Sequence, residues 1–346
     1  MNKIVTEGRL DFFDLLKLFA MYLVIVGHCI QYLYDSYQTN PLWLAIYTFH
    51  VPLFLIISGF FFHSSNFLNF SYTRAYLKTR FITLIQPCIV VSFILFVILL
   101  ALNFIFDKRI LTVQGGVNIL VMDQWFLKSL LLDTIIVVLI CSCKRIWIRV
   151  MLSLVVVMVL LFYRKLDLWY ICETLPFFVF GIGLKKMFFF KIASPWFLLL
   201  NIIIFTLLCS GYKISYSSQF TPLNLFSIYI YMYRIVFAIS ISLIFISLFA
   251  NLFSLSRGLL LKKIIHFASL GKLTLYIYVI QYLVLERLLC YLHLPIIISP
   301  AFNTFVVVPA IAAGIMAMCI IVYKYTLKYP LLSKIVWGIP KTYNKK

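Results

Sequence analysis

Residues 14–28 read DLLKLFAMYLVIVGH. Ten apolar or small residues separate Lys17 from His28, and Asp14 stands three residues before Lys17. Continued through Cys29 and Ile30, the stretch approaches the roughly 20 apolar residues that a membrane-spanning helix needs. Inside hydrocarbon an Asp or Lys costs about 2.5–3.5 kcal/mol, so ionisable groups there tend to be kept for a task. Eleven residues at about 100° each return Lys17 and His28 to one helix face, about 16 Å apart along the axis. One stripe of one helix therefore directs a cation and an imidazole into the same interior.

The rest of the chain agrees with a membrane setting. Hydrophobic residues make up 64% of 346, charged residues 12%, and the mean hydropathy is +1.07. A soluble domain of this size could not bury so much apolar surface. The 34 Phe and 22 Tyr suit lipid-facing and interfacial positions. Lys and Arg number 30 against 10 Asp and Glu, but they sit in short clusters between apolar runs. That pattern reports topology and attraction to anionic membrane lipids; it is not a nucleic-acid groove. The eight cysteines share no repeated spacing, and Cys141 and Cys143 are too close for an ordinary metal pair. Neither a disulfide framework nor a metal site is expected. The first apolar run is too long for a cleavable signal, is interrupted by Lys17 and His28, and lacks an Ala-x-Ala exit, so it reads as a retained helix.

Apolar runs predict an all-α polytopic bundle of about ten helices in a single integral-membrane domain over residues 1–346. The helices are expected near 12–31, 43–62, 82–106, 125–143, 147–163, 170–184, 196–212, 227–253, 266–285 and 302–323, followed by a basic tail over 324–346. With the N-terminus inside, 20 of the 30 basic residues fall on the cytoplasmic side and six outside. The remaining four (Lys17, Lys128, Arg234, Lys272) fall within helices. This bias predicts cytoplasmic N- and C-termini.

On that topology Lys17 enters from the cytoplasmic side, and His28 lies about 24 Å beyond Phe12, towards the outside. A neutral imidazole exchanges protons readily near pH 7, which suits His28 to catalysis; an interfacial histidine bonded to a carbonyl is the other reading. Lys17 either serves a ligand, pairs with Asp14, or reaches back to the inner interface. The second helix is read as opening with His50-Val-Pro-Leu-Phe and ending with Ser58-Gly59-Phe60, so His50 is expected at the helix start, on the same side as His28. Glu173, Asp133, Lys128 and Arg234 are further ionisable groups within spans, suited to helix-to-helix pairing. Trp125 reads as an interface anchor or as a platform for a sugar.

These residues resemble the bacterial integral-membrane acyltransferases of the acyltransferase 3 type. Asp14, Lys17 and His28 match the family's Asp-x-x-Arg/Lys with a His after ten further residues. His50, Pro52, Leu53, Phe54, Ser58, Gly59 and Phe60 match its second helix, and Trp125, Phe126 and Leu127 a Trp-Phe-Leu opening. Pro176, Phe177, Phe178 and Gly181 follow, then Leu270, Gly271, Lys272, Thr274, Leu275 and Tyr278. The chain departs from the pattern in having Lys17 for the commoner Arg, Thr83 where a second Arg often follows Arg80, and Gln281 where a late His is frequent.

The resemblance implies an O-acetyltransferase of the bacterial cytoplasmic (inner) membrane. Its donor would be acetyl-CoA, and its acceptor a hydroxyl of a surface glycan (O-antigen, capsule or exopolysaccharide) or of a lipid-linked sugar. His28, with Lys17 and Asp14, would form the catalytic group. His28 would act as general base or carry the acetyl group itself. His50, Ser58, Arg80, Trp125 and Glu173 would contact substrates, with Arg80 and Lys17 holding the phosphates of coenzyme A. A transporter or flippase using the Lys17–His28 stripe as a relay is the competing class, although no internal repeat accompanies it.

Overall fold

The computed structural model describes residues 11–62, 67–106, 124–162, 169–188, 194–209, 225–256, 258–287 and 299–338. All regular structure among them is helical. We number the helices α1 (Asp11–Leu33), α2 (Pro41–Phe60), α3 (Phe70–Phe106), α4 (Trp125–Cys141), α5 (Ile146–Phe162) and α6 (Trp169–Phe188). There follow α7 (Pro195–Cys209), α8 (Leu225–Leu255), α9 (Gly258–Leu270), α10 (Thr274–Arg287), α11 (Pro300–Thr326, with a π-helical turn over Asn303–Val307) and α12 (Pro330–Trp337). Each of the ten apolar runs is helical over most of its described residues, and because α2 begins at Pro41, His50 stands in the middle of that helix and not at its start. Among the described residues, six segments are long and apolar enough to cross a membrane: α1, α2, the first 29 residues of α3, most of α8, α9–α10 taken together, and α11.

The decisive helix of the sequence is also the central one. Two thirds (67%) of its most apolar window is buried, more than in any of the other five. It packs against α2, α8, α9, α10 and α11. A helix surrounded by protein on most sides can carry polar groups inward at no cost in lipid contact.

Small residues set the tightest contacts. A Cβ on Gly59 would overlap the carbonyl oxygen of Phe178, and one on Gly181 would overlap that of Ile56. The two glycines thus lock α2 to α6 reciprocally, since helices in a membrane associate through close backbone packing. Gly271 does the same where a 3₁₀ turn (Gly271–Leu273) separates α9 from α10: its Cα lies against the backbone of Asp14.

Three boundaries differ from the sequence expectation. α3 begins at Phe70 rather than near residue 82, because Asn69 accepts from the Tyr72 N–H through its side chain and from Thr73 N–H through its carbonyl. Arg74, Lys78 and Arg80 are consequently helical and not in a connection. The run expected at 266–285 begins at Gly258, which makes Lys262 and Lys263 helical, and is broken at Gly271. The tail from residue 324 is not wholly free: α12 returns to the bundle, where Trp337 is buried against Tyr276 and Tyr323 and donates to Thr326 Oγ1 at 2.8 Å. Gln86 of α3 donates to the carbonyls of Lys334 and Ile335. Residues 339–346, with Lys341, Lys345 and Lys346, lie outside the described residues. So do Lys3, Arg9, Lys108, Arg109, Arg164, Lys165, Lys191, Lys213 and Arg257.

Candidate active site

Successive turns of α1 present Lys17, Met21, Val24, His28 and Gln31 to one cavity of about 500 Å³. Their spacing of four, three, four and three residues is that of a single helix face. Tyr47, His50, Val51, Phe54 and Ser58 form the matching face of α2. Arg80 and Leu84 close the cavity from α3, Gln124 to Leu127 from the start of α4, and Lys272, Thr274, Tyr278 and Gln281 from the 3₁₀ turn and α10.

At one end stand the histidines. Tyr47 lies between them, its ring centroid 6.2 Å from that of His28 and 4.7 Å from that of His50. The Tyr47 hydroxyl donates to Gln31 Oε1 at 2.6 Å and lies 3.3 Å from His28 Nδ1. Its single proton serves Gln31, so His28 Nδ1 is the donor to Tyr47 and Nε2 carries the lone pair. His50 Nδ1 donates to the Ile46 carbonyl at 2.8 Å, which assigns the lone pair of neutral His50 to Nε2 as well. Both rings are therefore held in the tautomer that leaves Nε2 able to accept a proton.

At the other end stand three cations. Lys17 Nζ is 2.6 Å from Asp14 Oδ1 and lies over the Phe61 ring at 5.8 Å. Asp14 is 3% exposed, whereas the Lys17 side chain retains 24% of its surface. The carboxylate is thus a buried anchor for an ammonium that still reaches the cavity. Lys272 is brought beside this pair by the contact of Gly271 with the Asp14 backbone. The Arg80 guanidinium stacks over Tyr76 at 5.2 Å and donates from Nε to its hydroxyl at 3.1 Å. Tyr76 in turn meets Phe62, just past the end of α2. Between the two ends, Phe126 packs against Phe54 and Tyr278.

Of the residues singled out in the sequence, Lys17, His28, His50, Ser58, Arg80 and Trp125 all line this one cavity, and Asp14 supports it through Lys17. Trp125 is 37% exposed at the cavity wall. Glu173 is not among the lining residues: it belongs to α6, which packs against α2 and α4, and it is half-buried there. The polar lining residues not selected as contacts from sequence include Gln31, Tyr47, Gln124, Lys272, Thr274, Tyr278 and Gln281. Gln31 and Tyr47 stand three residues from His28 and His50 on the same faces, a signal available from periodicity alone. Gln124 is the one described non-glycine residue at positive φ (60°), a conformation costing about 1–2 kcal/mol that hydropathy does not report.

Comparison with known proteins gives two local likenesses and one extended match. The chain is 42% identical over 59 residues to "Nodulation protein NolL" of Mesorhizobium japonicum, and 39% identical over 67 residues to the protein of that name from Sinorhizobium fredii. The first alignment covers 16% of each chain and the second 18% of each, so the likeness spans less than a fifth of these relatives. No solved structure matches the chain. The family model described as "Acyltransferase domain" matches residues 10–324, from the first described helix almost to the end of α11. This multi-pass membrane protein therefore belongs to the acyltransferase 3 family.

Proposed function

We propose that the protein is a membrane O-acetyltransferase. It takes an acetyl group from cytoplasmic acetyl-CoA and places it on a hydroxyl of a cell-surface glycan, or of its lipid-linked precursor, in the bacterial cytoplasmic membrane. The observation that carries this reading is the single cavity with cations at one end and two base-competent imidazoles at the other. Its volume falls within the roughly 300–1,000 Å³ typical of small-molecule sites. The bias of basic residues towards the N-terminal side of the bundle supports a cytoplasmic position for the cationic end.

Lys17, Lys272 and Arg80 suit the phosphates of coenzyme A, since charge-assisted bonds to phosphate are among the stronger ones available. His28 Nε2, or His50 Nε2 beside it, accepts the proton of the acceptor hydroxyl as that oxygen attacks the thioester carbonyl. A tetrahedral adduct forms. It collapses by breaking the carbon–sulfur bond, the ester leaves on the acceptor, and the imidazolium returns its proton to the departing thiolate. General-base assistance of this kind contributes about 10²–10⁴-fold. Ester-linked acetyl on a defined surface polysaccharide, measured by NMR in cells expressing wild type or His28→Ala, tests the reading. Acetylation that depends on His28 is expected; equal acetylation by the two would sink it.

A further inference from the structure

The cavity wall holds two side chains that the chemistry above leaves unused. Gln124 and Gln281 are each 2% exposed, and both line the cavity. Neither amide atom of Gln124 has a hydrogen-bond partner among the described residues, and Gln281 Oε1 has none. A buried amide without partners costs about 1–3 kcal/mol, so two in one cavity point to a ligand that supplies the missing groups. Gln124 is also held in the left-handed region at the start of α4 without capping that helix through its side chain.

Their location narrows the ligand. Gln281 follows Lys272 by nine residues, about 13 Å along α10, and so lies well beyond the cationic end. Gln124 adjoins Trp125 and Phe126, and the Phe126 ring meets Tyr278, about 9 Å beyond Lys272 on the same count. Both amides thus flank the stretch between cations and imidazoles. A pantetheine arm has about 12 bonds from phosphate ester oxygen to sulfur. At the advance of an extended peptide it spans roughly 15 Å, close to the 16 Å between the levels of Lys17 and His28. Such an arm carries two secondary amides along its length, each offering the N–H and C=O that a glutamine amide complements.

We infer that Gln124 and Gln281 are donor-binding residues that hydrogen-bond the two amides of the pantetheine arm of an acyl-coenzyme A. The inference rests on the donor assignment proposed above. It makes the mid-cavity a reader of the arm, so that the carbonyl carbon arrives at the histidines in register.

The test uses purified full-length protein and a ladder of acetyl donors. Acetyl-CoA, S-acetyl-N-acetylcysteamine and S-acetyl-ethanethiol carry two, one and no amides on the thiol side. KM rises by roughly tenfold for each amide lost, beyond the loss due to the missing phosphates. Gln124→Met and Gln281→Met each raise KM for acetyl-CoA by roughly tenfold and leave that for S-acetyl-ethanethiol unchanged. Thermal unfolding of the ligand-free variants stays level or rises, because a buried amide without partners has been removed. Unchanged KM for acetyl-CoA in both variants, or a change confined to the acceptor KM, overturns the inference while leaving the donor assignment standing. A wild type that neither binds nor turns over acetyl-CoA overturns the donor assignment, and this inference with it.

Discussion

Replacing Tyr47 by Phe removes one oxygen from the histidine end of the cavity and nothing else. The ring keeps its stack on Trp43 at 4.2 Å and its edge contact with His50 at 4.7 Å. Stability should therefore change by about 1 kcal/mol or less, the usual net worth of one hydrogen bond. Catalysis should suffer more. The hydroxyl accepts from His28 Nδ1 at 3.3 Å and donates to Gln31 Oε1 at 2.6 Å, so its loss frees the imidazole to rotate and to change tautomer. A polar group deprived of its partner loses about 1–3 kcal/mol, and each 1.36 kcal/mol is tenfold in rate. The expected result is a fall in kcat of roughly ten- to a hundredfold. KM for acetyl-CoA should stay within about twofold, because Lys17 lies about 16 Å from the level of His28. Initial rates of ester formation by purified protein, over a range of acetyl-CoA concentrations, read both constants. A kcat within twofold of wild type, or a rise in KM alone, would refute the role assigned to Tyr47.

Other perturbations separate scaffold from site. Lys17→Met removes the 2.6 Å ion-pair partner of buried Asp14 and should destabilise the protein by about 1–3 kcal/mol; adding Asp14→Asn should recover part of that loss in thermal unfolding without recovering acetyl transfer. Gly181→Leu drives a side chain into the Ile56 carbonyl, so α2 and α6 must separate; a loss of at least about 1–3 kcal/mol is expected, read as a lower unfolding temperature in detergent. Trp337→Ala empties the site beside Tyr276 and Tyr323 and should cost about 3–5 kcal/mol, read as a lower unfolding temperature.

What could be read from sequence follows the physics that sequence exposes. Helical period placed Lys17 and His28 on one face, and the structure carries that face through Met21, Val24 and Gln31 along a single cavity. Apolar runs located the helices because burial in lipid demands length and hydropathy together. The start of α3 escaped because its first turns carry Arg74, Lys78 and Arg80; only Asn69, a capping residue, marked it. The interruption at Gly271 and the Gly59–Gly181 lock depend on which backbone lies opposite, a fact held by no local window. Glu173 illustrates the same limit: an ionisable residue in a span announces that it has a partner, not which face of its helix meets the cavity. α12 is short and its tryptophan is the last residue before Gly338, so its return to the bundle is a tertiary event.

Acetyl transfer by this protein turns on the histidine end of the cavity. Its most direct test follows thiol release and ester formation together, with purified wild type, His28→Gln and His50→Gln supplied with acetyl-CoA and a glycan acceptor. Glutamine keeps hydrogen bonding but cannot take a proton near neutral pH. One thiol released per ester is expected in the wild type, and a loss of about 10²–10⁴-fold in His28→Gln with acetyl-CoA binding retained. Transfer by His28→Gln at the wild-type rate would contradict it.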